Sequence, residues 1–134
     1  MRDRGREESS VDEHGIRPPS VYAIEPRDPV GGIAVLALYG ELDLAAAPVL
    51  GERLAEAQAS GARGLVLDMA EVTFIDSSAL RELLRADAAL RADGASLVLA
   101  TVHPPVERLL ELTRTTGMLA VAPTLEAALQ RAAG

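Results

Sequence analysis

Cysteine is absent from the 134 residues, and so are tryptophan and lysine. Without thiols there is no disulfide, no thiolate nucleophile and no cysteine-bound metal. Aromatic residues are nearly missing as well, with one Phe and two Tyr, which leaves little material for stacking on nucleic-acid bases. Positive charge is in deficit: 13 arginines stand against 20 acidic residues, for a formal net charge of −7. An acidic chain is a poor match for phosphate backbones, so no direct nucleic-acid partner is expected. No apolar run reaches membrane-spanning length, and the charged, polar N-terminus has no apolar segment of the secretory kind behind it. The expectation is a cytoplasmic protein without a membrane partner.

What is present suffices for one domain. A length of 134 residues is too short for two good cores. Nearly half the residues are apolar, mostly Leu, Val, Ile and Ala, enough for a single aliphatic core. Met1 to Ser20 is dense in Arg, Asp, Glu, Ser and Gly and closes on Pro18-Pro19. Such a segment buries too little apolar surface to offset its ordering entropy. It reads as a disordered tail over residues 1–20, either a partner-binding arm or an inert extension, with the folded domain over 21–134.

Within that domain Val21 to Glu25 and Ile33 to Tyr39 read as strands, separated by a turn from Pro26 to Gly32. The short connection predicts an antiparallel hairpin. Gly40-Glu41-Leu42-Asp43 then reads as a strand break. Val49, Leu50, Leu54 and Ala57 keep helical spacing over Ala45 to Ser60, with Gly61 closing the helix. Gly64 to Met69 is the next strand and runs on as loop to Ile75. A strand–helix–strand series of this kind implies a parallel pair. The pattern repeats in a helix over Ser77 to Ala92 carrying Leu80, Leu83, Leu84 and Leu90, then a strand over Ser96 to Ala100. A helix over Pro104 to Thr113 follows, with Val106, Leu109, Leu110 and Leu112 as its apolar set. Met118 to Ala122 reads as a short edge strand, and Thr124 as the cap of a final helix whose Leu125, Ala128 and Leu129 face inward. The fold class is α/β: a mixed sheet, hairpin first and parallel strands after, packed with about four helices.

Asp76-Ser77-Ser78 stands where a strand-and-loop segment meets a long helix. Asp and Ser at that place are favoured as helix caps, because their oxygens accept hydrogen bonds from free backbone N–H groups. The same free donors and the helix's partial positive charge can hold a phosphate. A serine there is reachable by a kinase if its loop is exposed, and phosphorylation adds roughly −1.5 to −2 charges. The two readings are compatible, since one hydroxyl can cap until it is modified.

Val72-Thr73-Phe74-Ile75-Asp76-Ser77-Ser78-Ala79-Leu80 resembles the signature of the STAS family, which includes the bacterial anti-sigma factor antagonists. Upstream, Gly40-Glu41-Leu42-Asp43 resembles the turn after that family's central strand, and Leu65-Val66-Leu67-Asp68 the strand before the signature. Downstream, Gly94-Ala95-Ser96-Leu97-Val98-Leu99 and Val106-Glu107-Arg108-Leu109-Leu110 through Thr116-Gly117 are similar to its later strand and helix. The resemblance covers about Val21 to Leu129. It implies a STAS-like sheet and a module that binds an anti-sigma factor which is also an ATP-dependent serine kinase. Binding would free the sigma factor, and phosphorylation of the first serine after the aspartate would end the interaction. On this chain that serine is Ser77, with Asp43, Asp76, Ser78 and Ala79 beside it as partner-binding residues. The family usually has Gly where this chain has Ala79, and often an aromatic where it has Leu119-Ala120-Val121. The first departure bears on the fit of a partner and the second on packing. A STAS scaffold that binds another protein without phosphorylation, such as a transporter ATPase or a stress-signalling assembly, is the alternative within the fold. A monomer is expected.

Other chemistry is thinly represented. His14 and His103 are distant and lack a matching ligand cluster, so no metal is expected. Asp68, Glu71 and Asp76 could act as acid–base carboxylates only in a pocket that shifts their pKa values. No Gly-x-Gly-x-x-Gly or P-loop pattern occurs, so a bound nucleotide cofactor is not expected in this chain. A small α/β enzyme using Asp68 or Asp76 lacks a recognisable nucleophile–base pair. The chain is read as a binding module and not an enzyme.

Overall fold

A computed structural model describes residues 21–134, and the tail expected over Met1 to Ser20 lies outside the described residues. The chain opens with strands β1 (Tyr22–Val30) and β2 (Ile33–Leu42), an antiparallel hairpin. Gly31 and Gly32 join them with φ of +57° and +83°, the positive values that a two-residue hairpin turn requires. The turn is therefore shorter than the expected Pro26 to Gly32. β1 is an edge strand, and an edge strand tolerates Pro26 and Pro29 because it pairs on one side only.

There follow α1 (Ala47–Ala59), β3 (Gly64–Ile75), α2 (Ser77–Ala92), β4 (Ser96–Ala100), α3 (Pro104–Leu112), β5 (Ala120–Ala122) and α4 (Leu125–Ala133). The sheet order is β1-β2-β3-β4-β5, and each pair after the hairpin is parallel. This is the expected mixed sheet with four helices, now with its neighbours assigned. The central strands carry continuous apolar runs because both of their faces are covered. Leu65 and Leu67 on β3 enter a core with Leu50, Leu54, Leu83, Leu90, Val106 and Leu110, so α1, α2 and α3 lie on that face. Val66, one residue out of phase, joins Ile33, Val98, Ala128 and Ala132 under α4 on the other. Gly64 lets α4 approach closely, since a methyl group there would stand 3.3 Å from Ala132 Cβ.

Four expectations need correction. β2 does not break at Gly40 but runs to Leu42, and β3 does not end at Met69 but runs to Ile75. Two register shifts, between Ala37 and Tyr39 and between Gly40 and Glu41, keep the strands paired around Gly40, whose φ is +83°. Leu112 is 73% exposed, because it stands about 200° around the helix from buried Leu110. Leu125 is also exposed; the inward line of α4 is Ala128 and Ala132, at i and i+4.

Candidate functional site

The pairing of β2 with β3 ends on Leu42 opposite Ile75. One residue further along each strand stands an aspartate, Asp43 after β2 and Asp76 after β3. The two strands are parallel neighbours, so both aspartates emerge at the same end of the sheet. Each organises the start of the element that follows. Asp43 Oδ1 accepts from the backbone N–H of Ala45 (3.0 Å) and Ala46 (3.3 Å), and its carbonyl accepts from Ala46 and Ala47 as the chain enters α1. Asp76 is the N-cap of α2: its Oδ1 accepts from Ser78 N (3.0 Å) and Ala79 N (3.1 Å), and its carbonyl from Leu80 N. The same carboxylate oxygen accepts the Ser78 hydroxyl at 2.6 Å.

Ser77 is the first residue of α2 and is exposed. Its hydroxyl makes no hydrogen bond to any described residue. The expectation that this hydroxyl caps the helix is thus corrected. The cap is Asp76, since a carboxylate one residue upstream reaches the second and third free N–H groups. The structure brings Asp43, Asp76, Ser77 and Ser78 to one end of the sheet. It does not offer Ala79 there. Ala79 is 0% exposed and belongs to the core beneath α1 to α3, so its methyl group is out of a partner's reach.

Two exposed apolar residues flank this end and were not singled out in the sequence. Leu44, directly after Asp43, is 74% exposed, and Phe74, two residues before Asp76, is 46% exposed. The signal for Phe74 lay in strand phase: its neighbour Ile75 is buried, so Phe74 must point the other way. A third residue, Arg81, lies one helical turn beyond Ser77 and is exposed.

The remaining candidates do not converge. Asp68 accepts from Ala70 N within its own strand, Asp76 caps α2, and Glu71 is exposed. At roughly 3.3 Å per residue, Asp68 and Asp76 stand on the order of 25 Å apart along β3. His103 is exposed and its ring nitrogen contacts the carbonyl of Ala70, and His14 lies outside the described residues. No cluster of three or more potential metal ligands occurs among the described residues. Nor is any helix among them long and apolar enough to cross a membrane.

A family model described as the STAS domain matches residues 28–128, a span that includes every residue of this site. The chain is 32% identical over 101 residues to BtrV of Bordetella bronchiseptica, a candidate anti-sigma factor antagonist; the match takes in 75% of this chain and 87% of that one. Among solved structures, an anti-sigma factor antagonist from Mycobacterium paratuberculosis superposes with a TM-score of 0.77 at 24% identity, covering 85% of this chain and 96% of the other. The Bacillus cell fate determinant SpoIIAA in its phosphorylated form gives a TM-score of 0.64 at 23% identity, over 81% and 98% of the two chains. These two structural likenesses concern the fold. The length of the family match, together with the identity to BtrV, settles the assignment: this chain belongs to the STAS domain family.

Proposed function

We propose that this protein is an anti-sigma factor antagonist that binds a serine-kinase anti-sigma factor in the cytoplasm, and that phosphorylation of Ser77 ends the interaction. The observation that carries the reading is the contrast between two adjacent serines. Ser78 is tied to Asp76 through its hydroxyl, whereas Ser77 is exposed and its hydroxyl is held by no described residue. An acceptor must present a free nucleophilic oxygen to a phosphoryl donor, and Ser77 has that form. The identity to BtrV supports the antagonist role. The existence of SpoIIAA in a phosphorylated form supports a covalent switch on this fold.

In this reading the partner holds ATP. Ser77 Oγ attacks the γ-phosphorus, the bond to the β,γ-bridging oxygen breaks, ADP leaves, and the hydroxyl proton passes to a base in the partner's site. Leu44 and Phe74 provide exposed apolar surface beside the acceptor, and Asp43 and Asp76 hold the two helix openings that frame it. Adding roughly −1.5 to −2 charges next to Asp76 repels an acidic surface and disfavours the complex. The test is to incubate the protein with kinase-type anti-sigma factors and ATP, then map phosphate by mass spectrometry. Phosphate is expected on Ser77. A partner that binds tightly and phosphorylates another residue, or none, overturns the switch.

A further inference from the structure

Ser77, Arg81 and Arg85 stand at i, i+4 and i+8 along α2, and all three are exposed. They form one solvent-facing stripe, since residues four apart are surface neighbours on a helix. The two arginines differ in their partners. Arg85 Nη1 lies 3.6 Å from Glu82 Oε1. Arg81 makes no salt bridge to any described residue. Helical side chains lean toward the N-terminus of their own helix, so the side chain of Arg81 leaves the backbone toward the turn that begins with Ser77.

A phosphate on Ser77 would meet an N-terminus whose second and third free amides are already occupied. The N–H groups of Ser78 and Ala79 donate to Asp76 Oδ1, and that of Leu80 to Asp76 O. The acceptor in the first two bonds is itself an anion. A phosphate seeking those amides must displace the carboxylate of Asp76, and one that leaves them alone faces its charge. Apart from the Ser77 N–H itself, the helix end does not provide the compensation that a bare N-terminus would. The cation one turn away can.

We infer that Arg81 is the internal counter-charge of phosphorylated Ser77, an i,i+4 pair formed only after modification. This rests on the reading of Ser77 as acceptor and adds a regulatory element to it. The phosphate brings negative charge to the face that the partner meets, and the same event engages the guanidinium that unmodified α2 leaves free there. Arg81 is a positioning residue for the phosphate, with no part in its transfer.

The test installs phosphoserine at position 77 of the full chain by genetic encoding, with no kinase present, and titrates the phosphate by 31P NMR. A neighbouring cation favours the dianion and lowers its second pKa, so removing the cation raises it. Arg81→Ala should raise the apparent pKa by roughly 0.3, and Arg81→Lys should restore most of the difference. Arg85→Ala, eight residues on, should leave the titration unchanged. Superposable curves for Arg81→Ala and the parent overturn the pair, and so does an equal rise in Arg85→Ala, which would reveal a general surface field. Because the phosphate is placed without a kinase, failure here leaves the partner-switch reading intact. A kinase that never modifies Ser77 leaves the pair intact.

Discussion

The backbone N–H of Asp76 donates to the carbonyl of Leu42 at 3.1 Å. This bond extends the parallel ladder by one rung beyond Leu42 and Ile75 and fixes where β3 stops and α2 starts. It also sets Asp76 beside the residue that precedes Asp43, so the openings of α1 and α2 are held in one frame. Ser77 inherits its position from that rung, because it is the next residue along and the first of the helix.

The cap assignment separates two neighbouring side chains. Asp76→Ala removes the acceptor of two backbone N–H groups and of the Ser78 hydroxyl, and is expected to cost about 1–2 kcal/mol. Ser77→Ala should stay within about 0.5 kcal/mol of the parent, as exposed substitutions without partners do. Urea unfolding of both variants checks this, and equal losses would mean that Ser77 shares the capping role.

Gly40 supports the same end of the sheet from the other side. Its φ is +83°, and a Cβ there would stand 2.1 Å from the Val21 carbonyl oxygen, which accepts from Glu41 N. Gly61 has a similar φ of +79° with nothing within 4 Å. Gly61→Ala should cost about 1 kcal/mol from backbone strain alone. Gly40→Ala should cost about 2–3 kcal/mol, because β1 must also shift. Identical melting temperatures for the two variants would show that β1 yields freely.

Ala79→Gly removes a methyl group from a buried helical position. The expected result is a loss of about 1 kcal/mol, from lower helix propensity and a lost core methyl group, with partner affinity unchanged. Titration calorimetry against the partner decides it. An affinity change beyond about three-fold would return position 79 to the interface.

Ser77→Asp introduces a charge at the proposed contact without disturbing a hydrogen bond to any described residue. Partner affinity should fall about ten-fold or more while thermal stability stays nearly constant. Ser77→Ala should bind constitutively, since the hydroxyl serves only as acceptor. Equal affinity for the parent and Ser77→Asp would falsify the charge-based switch.

Much of this architecture was legible in the chain. Leu65-Val66-Leu67 and Leu97-Val98-Leu99 announced strands, and the two cores on opposite faces of the sheet divide them residue by residue. Thr124 was readable as a cap and accepts from Ala127 N at 3.0 Å. The extents of β2 and β3 were less legible. Gly40 looks like a strand end, and only the pairing with β3, shifted twice in register, carries β2 past it. The division of labour between Asp76 and Ser77 was also hidden, since either residue type can cap a helix and local sequence does not say which oxygen reaches the amides.

By itself the sequence determined the order and type of the elements, the aliphatic core and the place of the Asp-Ser-Ser segment at a strand-to-helix junction. These follow from periodicity and local chain preference, which are properties of neighbouring residues. The tertiary structure alone decided that Asp43 and Asp76 share one end of the sheet, that Ala79 turns inward and that Ser77 and Arg81 face solvent together. Those outcomes depend on which strand pairs with which and on the side of each helix that the sheet covers. Contacts between residues far apart in the chain settle both, and no local preference encodes them.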